Sequence, residues 1–223
     1  MSRNPTRFIV GAAVWAGCAA PVLLAQPSFE YAHDDGSGYT ESSLAQYDAR
    51  VTWGNAFRAR DPWTTIARAR VSFASDVGAG KAVRIGVWDL DTSDPTTGVL
   101  VSLTDLVVPA PTGPEDFHTF ELRPAEVSGW FFVGVIADLA IGERAMRQDF
   151  STLGTRSWRF DNPVGEDNFD LGSAGYGGRL GDFGLGTWMV RAVAVPAPAT
   201  VGVLGLGCLS ARRRRLSARA APG

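Results

Sequence analysis

The sequence predicts an all-β fold, an antiparallel β-sandwich of jelly-roll type, flanked by an N-terminal signal helix and a short C-terminal hydrophobic helix. Three observations predict it. Apolar residues recur at every second position through most of residues 29–195. Clusters of Asp, Gly and Pro interrupt them at short intervals. No ten-residue stretch there carries an apolar stripe of helical period.

Residues 1–25 read as an export signal. Arg3 and Arg7 form a basic start, residues 8–25 are apolar with Pro21 among them, and cleavage is expected after Ala25. The domain then occupies residues 26–195. Ala67, Ala69, Val71 and Phe73 alternate with Arg68, Arg70 and Ser72, as on a half-buried strand. Val83, Ile85 and Val87 form a second such set, and Val99, Val101 and Leu103 a third. Residues 130–136, Trp-Phe-Phe-Val-Gly-Val-Ile, are apolar on both faces and predict a central strand; Trp188, Val190 and Ala192 close the series. Turns are expected at 76–80, 91–98 and 109–114. Residues 165–186 hold eight glycines and little periodicity, which predicts an irregular loop, mobile or wrapped along a sheet edge.

Charge separates the segments. All 23 acidic residues fall in the domain, against fourteen of the 21 basic ones, a net of −9 that suits solubility or cations and does not suit the phosphates of nucleic acid. Both cysteines, Cys18 and Cys208, lie in the apolar ends. The domain therefore has no disulfide, no thiolate nucleophile and no Cys-based zinc site, and its stability rests on burial.

After Val195 come Pro196, Ala197, Pro198, Ala199 and Thr200, an apolar run to residue 211, and then Arg212, Arg213, Arg214 and Arg215. The arginines would hold the end of the chain on the cytoplasmic side, and the prolines would keep an extended segment just outside the membrane. This order of proline motif, apolar segment and arginine cluster over residues 196–223 resembles the PEP-CTERM sorting signal of exopolysaccharide-producing bacteria. Ala197 stands where the family has a glutamate, and the apolar run is about a dozen residues against the roughly 20 of a full membrane span. The resemblance implies transient membrane association through the tail. It also implies cutting by an exosortase, a membrane cysteine protease, and delivery to the cell surface or extracellular matrix. Within the domain, Trp53-Gly54-Asn55-Ala56-Phe57, Val87-Trp88-Asp89, Trp130-Phe131-Phe132-Val133-Gly134, Arg156-Ser157-Trp158 and Trp188-Met189-Val190-Arg191-Ala192 resemble segments of uncharacterised PEP-CTERM proteins. That likeness implies a fold and no activity.

No catalytic residue stands out. His33 and His118 are the only bases for nucleophilic catalysis, without a G-x-S-x-G elbow, and a solvent-facing histidine is the plainer expectation for each. The glycines of residues 175–181 miss the dinucleotide spacing. Among 23 acids no glycosidase-like pair is singled out. Asp89, Asp91 and Asp94 can converge on a hard cation, calcium above all; Asp94 before Pro95 can equally cap a turn. Of the six tryptophans in the domain most are expected in the core. Trp63 and Trp158, beside Asp61-Pro62 and Arg156-Ser157, are the two expected to be exposed and available to stack on sugar rings.

The expectation is an exported, non-enzymatic surface or matrix protein with a structural or adhesive sandwich. A carbohydrate-binding module for exopolysaccharide is the alternative, and a secreted hydrolase the weakest.

Overall fold

The computed structural model describes residues 27–36, 39–43, 48–74, 77–110, 117–166 and 169–197. The expected signal segment, the motif residues Pro198, Ala199 and Thr200, and Arg212 to Arg215 lie outside the described residues.

The period-two pattern resolves into β1 (Phe29–Tyr31), β2 (Tyr39–Ser43), β3 (Ala49–Arg58), β4 (Thr65–Val71), β5 (Ala82–Leu90), β6 (Val99–Val107), β7 (His118–Glu126), β8 (Trp130–Leu139), β9 (Arg144–Leu153), β10 (Ser157–Pro163), β11 (Tyr176–Arg179), β12 (Gly186–Trp188) and β13 (Val190–Val195). Every pairing between them is antiparallel. One sheet has the order β1-β13-β4-β7 and another the order β11-β10-β3-β8-β5-β6. With β1, β3, β4, β5, β6, β7, β8 and β13 taken as the eight strands of the roll, the layers run first-eighth-third-sixth and second-seventh-fourth-fifth. That order is the jelly roll.

The remaining strands are additions. β10 and β11 widen the second layer beyond β3, and β2, β9 and β12 form a third sheet of order β12-β9-β2. The third sheet continues the first layer across a kink at Met189. There the Ser72 amide donates to the Met189 carbonyl at 3.1 Å, and the Met189 amide to the Arg147 carbonyl at 3.1 Å.

As the unbroken apolar run predicts, β8 is central. It pairs with β3 on one side and β5 on the other, and residues 131–137 are buried throughout. Its odd-numbered side chains face the inter-layer core. There Val51, Trp53 and Phe57 of β3, Val83, Ile85 and Val87 of β5, and Phe131, Val133 and Val135 of β8 meet Ile66, Val71, Phe120, Leu122, Val190 and Ala192. A polar plug crosses this core. Asn55 Nδ2 donates to the Trp188 and Val190 carbonyls, both at 2.8 Å, and Asn55 Oδ1 accepts from Ser157 Oγ at 2.6 Å. It satisfies backbone groups where the last strand breaks at Met189.

Two expectations change in detail. The set Val99, Val101 and Leu103 does not form one core-facing row. Between Val87 and Trp88 the register of β5 with β6 shifts, so that Val87 faces Ser102 and Trp88 faces Leu100. Val101 is the extra residue of this bulge, which breaks the alternation. Val99 and Val101 are left 69% and 43% exposed on an edge strand. The glycine-rich stretch, for its part, supplies β11 at the sheet edge, and Leu171 and its neighbours cover the outer face of the six-stranded sheet.

Candidate functional site

An open cleft of about 610 Å³ lies at one end of the sandwich, where β1, the end of β3, the start of β8 and the turn before β10 meet. Alternation along β3 turns Phe57 into the core and Arg58 outward, and the chain then carries Ala59 and Arg60 along the rim. The Ala59 amide donates to the carbonyl of Gly129, whose φ of 88° makes the turn into β8, and the Ala56 amide donates to the Arg156 carbonyl at 2.9 Å. These bonds lock three segments side by side.

The floor is aromatic. Tyr31 packs edge-on against Phe131 at 5.1 Å and against Phe29 at 4.7 Å. His33 stacks on Phe57 at 4.7 Å with 13° between the rings. Its Nε2 lies 2.8 Å from the Ala56 carbonyl, which assigns that nitrogen the proton. Burial, with the Arg156 charge adding to it, holds the His33 imidazole below its ordinary value against the pull of the Ala56 bond. The Tyr31 hydroxyl donates to the Trp63 carbonyl at 2.8 Å and accepts from the Arg60 amide at 2.9 Å; burial raises its pKa.

The rim is cationic. Arg58 and Arg60 are exposed, Arg156 is half-buried with its guanidinium 4.3 Å from the centre of the Trp130 ring, and Arg60 lies 5.5 Å from the centre of the Phe29 ring. None of the three has a carboxylate partner among the described residues. The lining acid, Glu30, is committed elsewhere. It accepts from Arg70 at 2.7 Å and from Arg191 at 2.9 Å, and Arg191 also binds the buried Asp34. Burial raises the Glu30 carboxyl, but the two arginines outweigh it and hold it below the usual value. Asp61, exposed beside Arg60, is the nearest uncommitted acid in sequence.

The residues singled out from sequence lie elsewhere. Asp89 accepts from the Ser128 amide at 2.9 Å, and Asp94 caps the short 3-10 turn Pro95–Thr97 by accepting from the Thr96 amide at 2.9 Å. Asp91 is exposed, and among the described residues no three His, Cys, Asp or Glu side chains are arranged to hold a metal ion.

Trp63 and Trp158 are both half-buried, not open to solvent. Trp63 stacks on Phe29 at 6.2 Å beside the cleft. Trp158 lies parallel to Phe160 at 6.1 Å on the outer face of β10, so the two belong to different surfaces. Trp53, Trp88 and Trp188 are fully buried. The exposed aromatic rings among the described residues are Phe150, Tyr176 and Phe183, the last two flanking a shallow 200 Å³ depression over Gly178 and Arg159. His118 is half-buried on β7. β13 ends at Val195, and the Ala197 amide donates to the Pro62 carbonyl at 3.1 Å, so Pro196 and Ala197 leave the sheet beside Trp63.

Sequence reasoning passed over the cleft. Arg156 lies about a hundred residues from Arg58 and Arg60 and reaches them only through the β3–β10 pairing. A local signal existed: in an acid-rich domain, residues 58–70 hold four arginines and one acid.

No protein-family model and no curated protein matches the chain. Among solved structures it is similar to a clostridial cysteine protease, Cwp84 after propeptide cleavage, with 11% identity and a TM-score of 0.42, over 76% of this chain and 40% of that one. The chain thus spans less than half the length of that protein.

Proposed function

We propose that this chain is an exported, non-catalytic module that holds polysaccharide at the cell surface or in the extracellular matrix, sorted there by its PEP-CTERM-like tail with an exosortase-type protease as the tail's partner. The cleft carries the reading. Its open shape, aromatic floor and cationic rim suit a chain of rings that lies across it, apolar ring faces against the floor and polar groups toward the arginines. The commitment of Glu30 and Asp34 to arginines supports holding over hydrolysis, which needs two acids free to exchange protons.

The test uses the full chain, purified in mild detergent, in affinity electrophoresis through a panel of polysaccharides. Retardation by at least one, weakened about tenfold by Trp130→Ala with the fold intact, is expected. Release of reducing ends, abolished by a single Asp or Glu substitution, would replace the reading with a hydrolase. For the tail, mass spectrometry of the protein from its native host should find a chain ending near Pro198. Arg212 to Arg215 intact on the extracellular product would defeat the sorting part.

A second reading, a structural or adhesive module, draws on β6. This edge strand exposes Val99, Val101 and Val107, which suits strand-to-strand assembly.

A further inference from the structure

The charge of the cleft runs against the charge of the domain that carries it. Across residues 26–195 acids outnumber bases by nine, yet Arg58, Arg60 and Arg156 converge on one rim without a carboxylate partner among the described residues. Five other arginines of the domain are paired: Arg50 with Asp138, Arg70 and Arg191 with Glu30, Arg159 with Asp161, Arg179 with Asp182. Guanidinium groups gathered on one rim repel one another, and the ring contacts of Arg156 and Arg60 leave their charge unneutralised, so their natural complement is an anion from outside.

From this we infer that the occupant is an acidic polysaccharide whose repeating groups are carboxylates, a polyuronate. The inference rests on the polysaccharide reading and narrows it to a chemical class. A guanidinium presents two parallel N–H donors that match the two oxygens of a carboxylate. Arg156 stacks over the Trp130 ring, which holds its guanidinium in place at the rim. Arg58 ends β3 and Arg60, two residues on, bridges to Trp63, so the two stand at most about 7 Å apart along the chain and successive acidic groups of one polymer can meet successive cations. A repeating polymer engages them together, which makes binding depend on chain length as well as on charge. The domain's remaining acidic surface repels a polyanion everywhere else, which confines the polymer to the cleft.

The experiment measures binding of the full chain in mild detergent to polygalacturonate, to neutral dextran of matched length, to dextran sulfate and to single-stranded DNA. Each is repeated with Arg58→Gln/Arg60→Gln/Arg156→Gln and with Arg123→Gln, an exposed arginine on β7 away from the cleft. Thermal unfolding confirms that each variant is folded. The expected result is preferential binding of polygalacturonate, weakened by salt, at least tenfold weaker in the triple variant and changed less than twofold in Arg123→Gln. Equal binding of dextran, unaffected by the triple variant, would overturn the carboxylate assignment and leave the polysaccharide reading standing. Binding of no polysaccharide would overturn both. Dextran sulfate or DNA bound as tightly as polygalacturonate would overturn the assignment in favour of unselective attraction of polyanions.

Discussion

On its inner face the β3–β8–β5 sheet meets a second sheet; on its outer face it meets a glycine-rich stretch with little regular structure. Both faces are dry. Inside, rows of Val, Ile and Phe interlock between two pleated surfaces that each satisfy their own backbone. Outside, Ala56, Trp88, Leu90, Phe132, Ile136 and Phe160 lie under a roof made by Leu171, with Phe169 and Ala174 beside it. Trp88 Nε1 ties the roof down by donating to the Phe169 carbonyl at 2.8 Å. The outer face works because the sheet is made thin there. Gly54, Gly134 and Gly86 stand opposite one another across three strands, a trough in which the rings of Trp88 and Phe132 lie flat. A methyl group at Gly86 would stand 2.4 Å from Cη2 of Trp88, and one at Gly134 would stand 2.6 Å from Cε1 of Phe132. A strand partner seals a sheet with many side chains of middling size. A loop can do so only if a few large rings already cover the backbone.

The comparison can be broken most directly on the inner face. Phe131→Ala, removing a fully buried ring that packs on Tyr31 and Phe57, is expected to lower global stability by about 3–5 kcal/mol in urea unfolding. A loss under about 1 kcal/mol would mean that the inter-layer core is not the main source of stability. On the outer face, Gly86→Ala is expected to cost about 1–3 kcal/mol by overpacking against Trp88. Its signature is local: hydrogen exchange should quicken in residues 169–174 more than in β4 or β13. Uniform quickening would erase the distinction between roof and core.

The smallest effect concerns the end of the sandwich, where the two faces meet at the cleft. His33 is held neutral, chiefly by burial, so the unfolded chain takes up a proton before the folded one does. Stability is therefore complete above the unfolded value of about 6.5 and declines as the pH falls below it, until the folded value is reached. Denaturation midpoints between about pH 7.5 and 5 should show a shallow decline that His33→Gln flattens. The decline tied to Glu30 lies lower: its pKa is depressed, so its contribution is present above the ordinary carboxyl value of 4.5 and is lost only as the pH falls below that. A slope unchanged by His33→Gln would assign the titration to another group.

Much of the fold was legible because burial leaves a period in the sequence. Residues 130–136 are apolar on both faces, and β8 is indeed flanked by β3 and β5. Ala69, Val71 and Phe73 keep their alternation and are buried. Val99 and Val101 misled because a bulge adds one residue, and periodicity has no mark for where it falls. The roof was illegible for another reason. Leu171 is one apolar residue among glycines, and only the trough beneath it explains its burial. For the cleft, composition gave the charge of the domain and not its distribution. The partnerships of Glu30 with Arg70 and Arg191, which keep this acid from the cleft's own arginines, exist only after β1 has paired with β13. Asp89 and Asp94 show the reverse case, acids close in sequence that spend their oxygens on separate backbone amides.

The pairing of β1 with β13 also sets a timetable. Phe29 lies opposite Ala194, and β13 sits inside its sheet, between β1 and β4, instead of at an edge. A chain that emerges from a ribosome or through a membrane pore with its N-terminus first has made β1 and β4 long before the strand that belongs between them. Until residues 190–195 appear, that sheet has a gap in its middle, and Ile66, Val71 and their partners lack part of their cover. Closing contacts between the two ends of a domain is slow compared with forming hairpins. The domain thus completes itself only after its last strand is free.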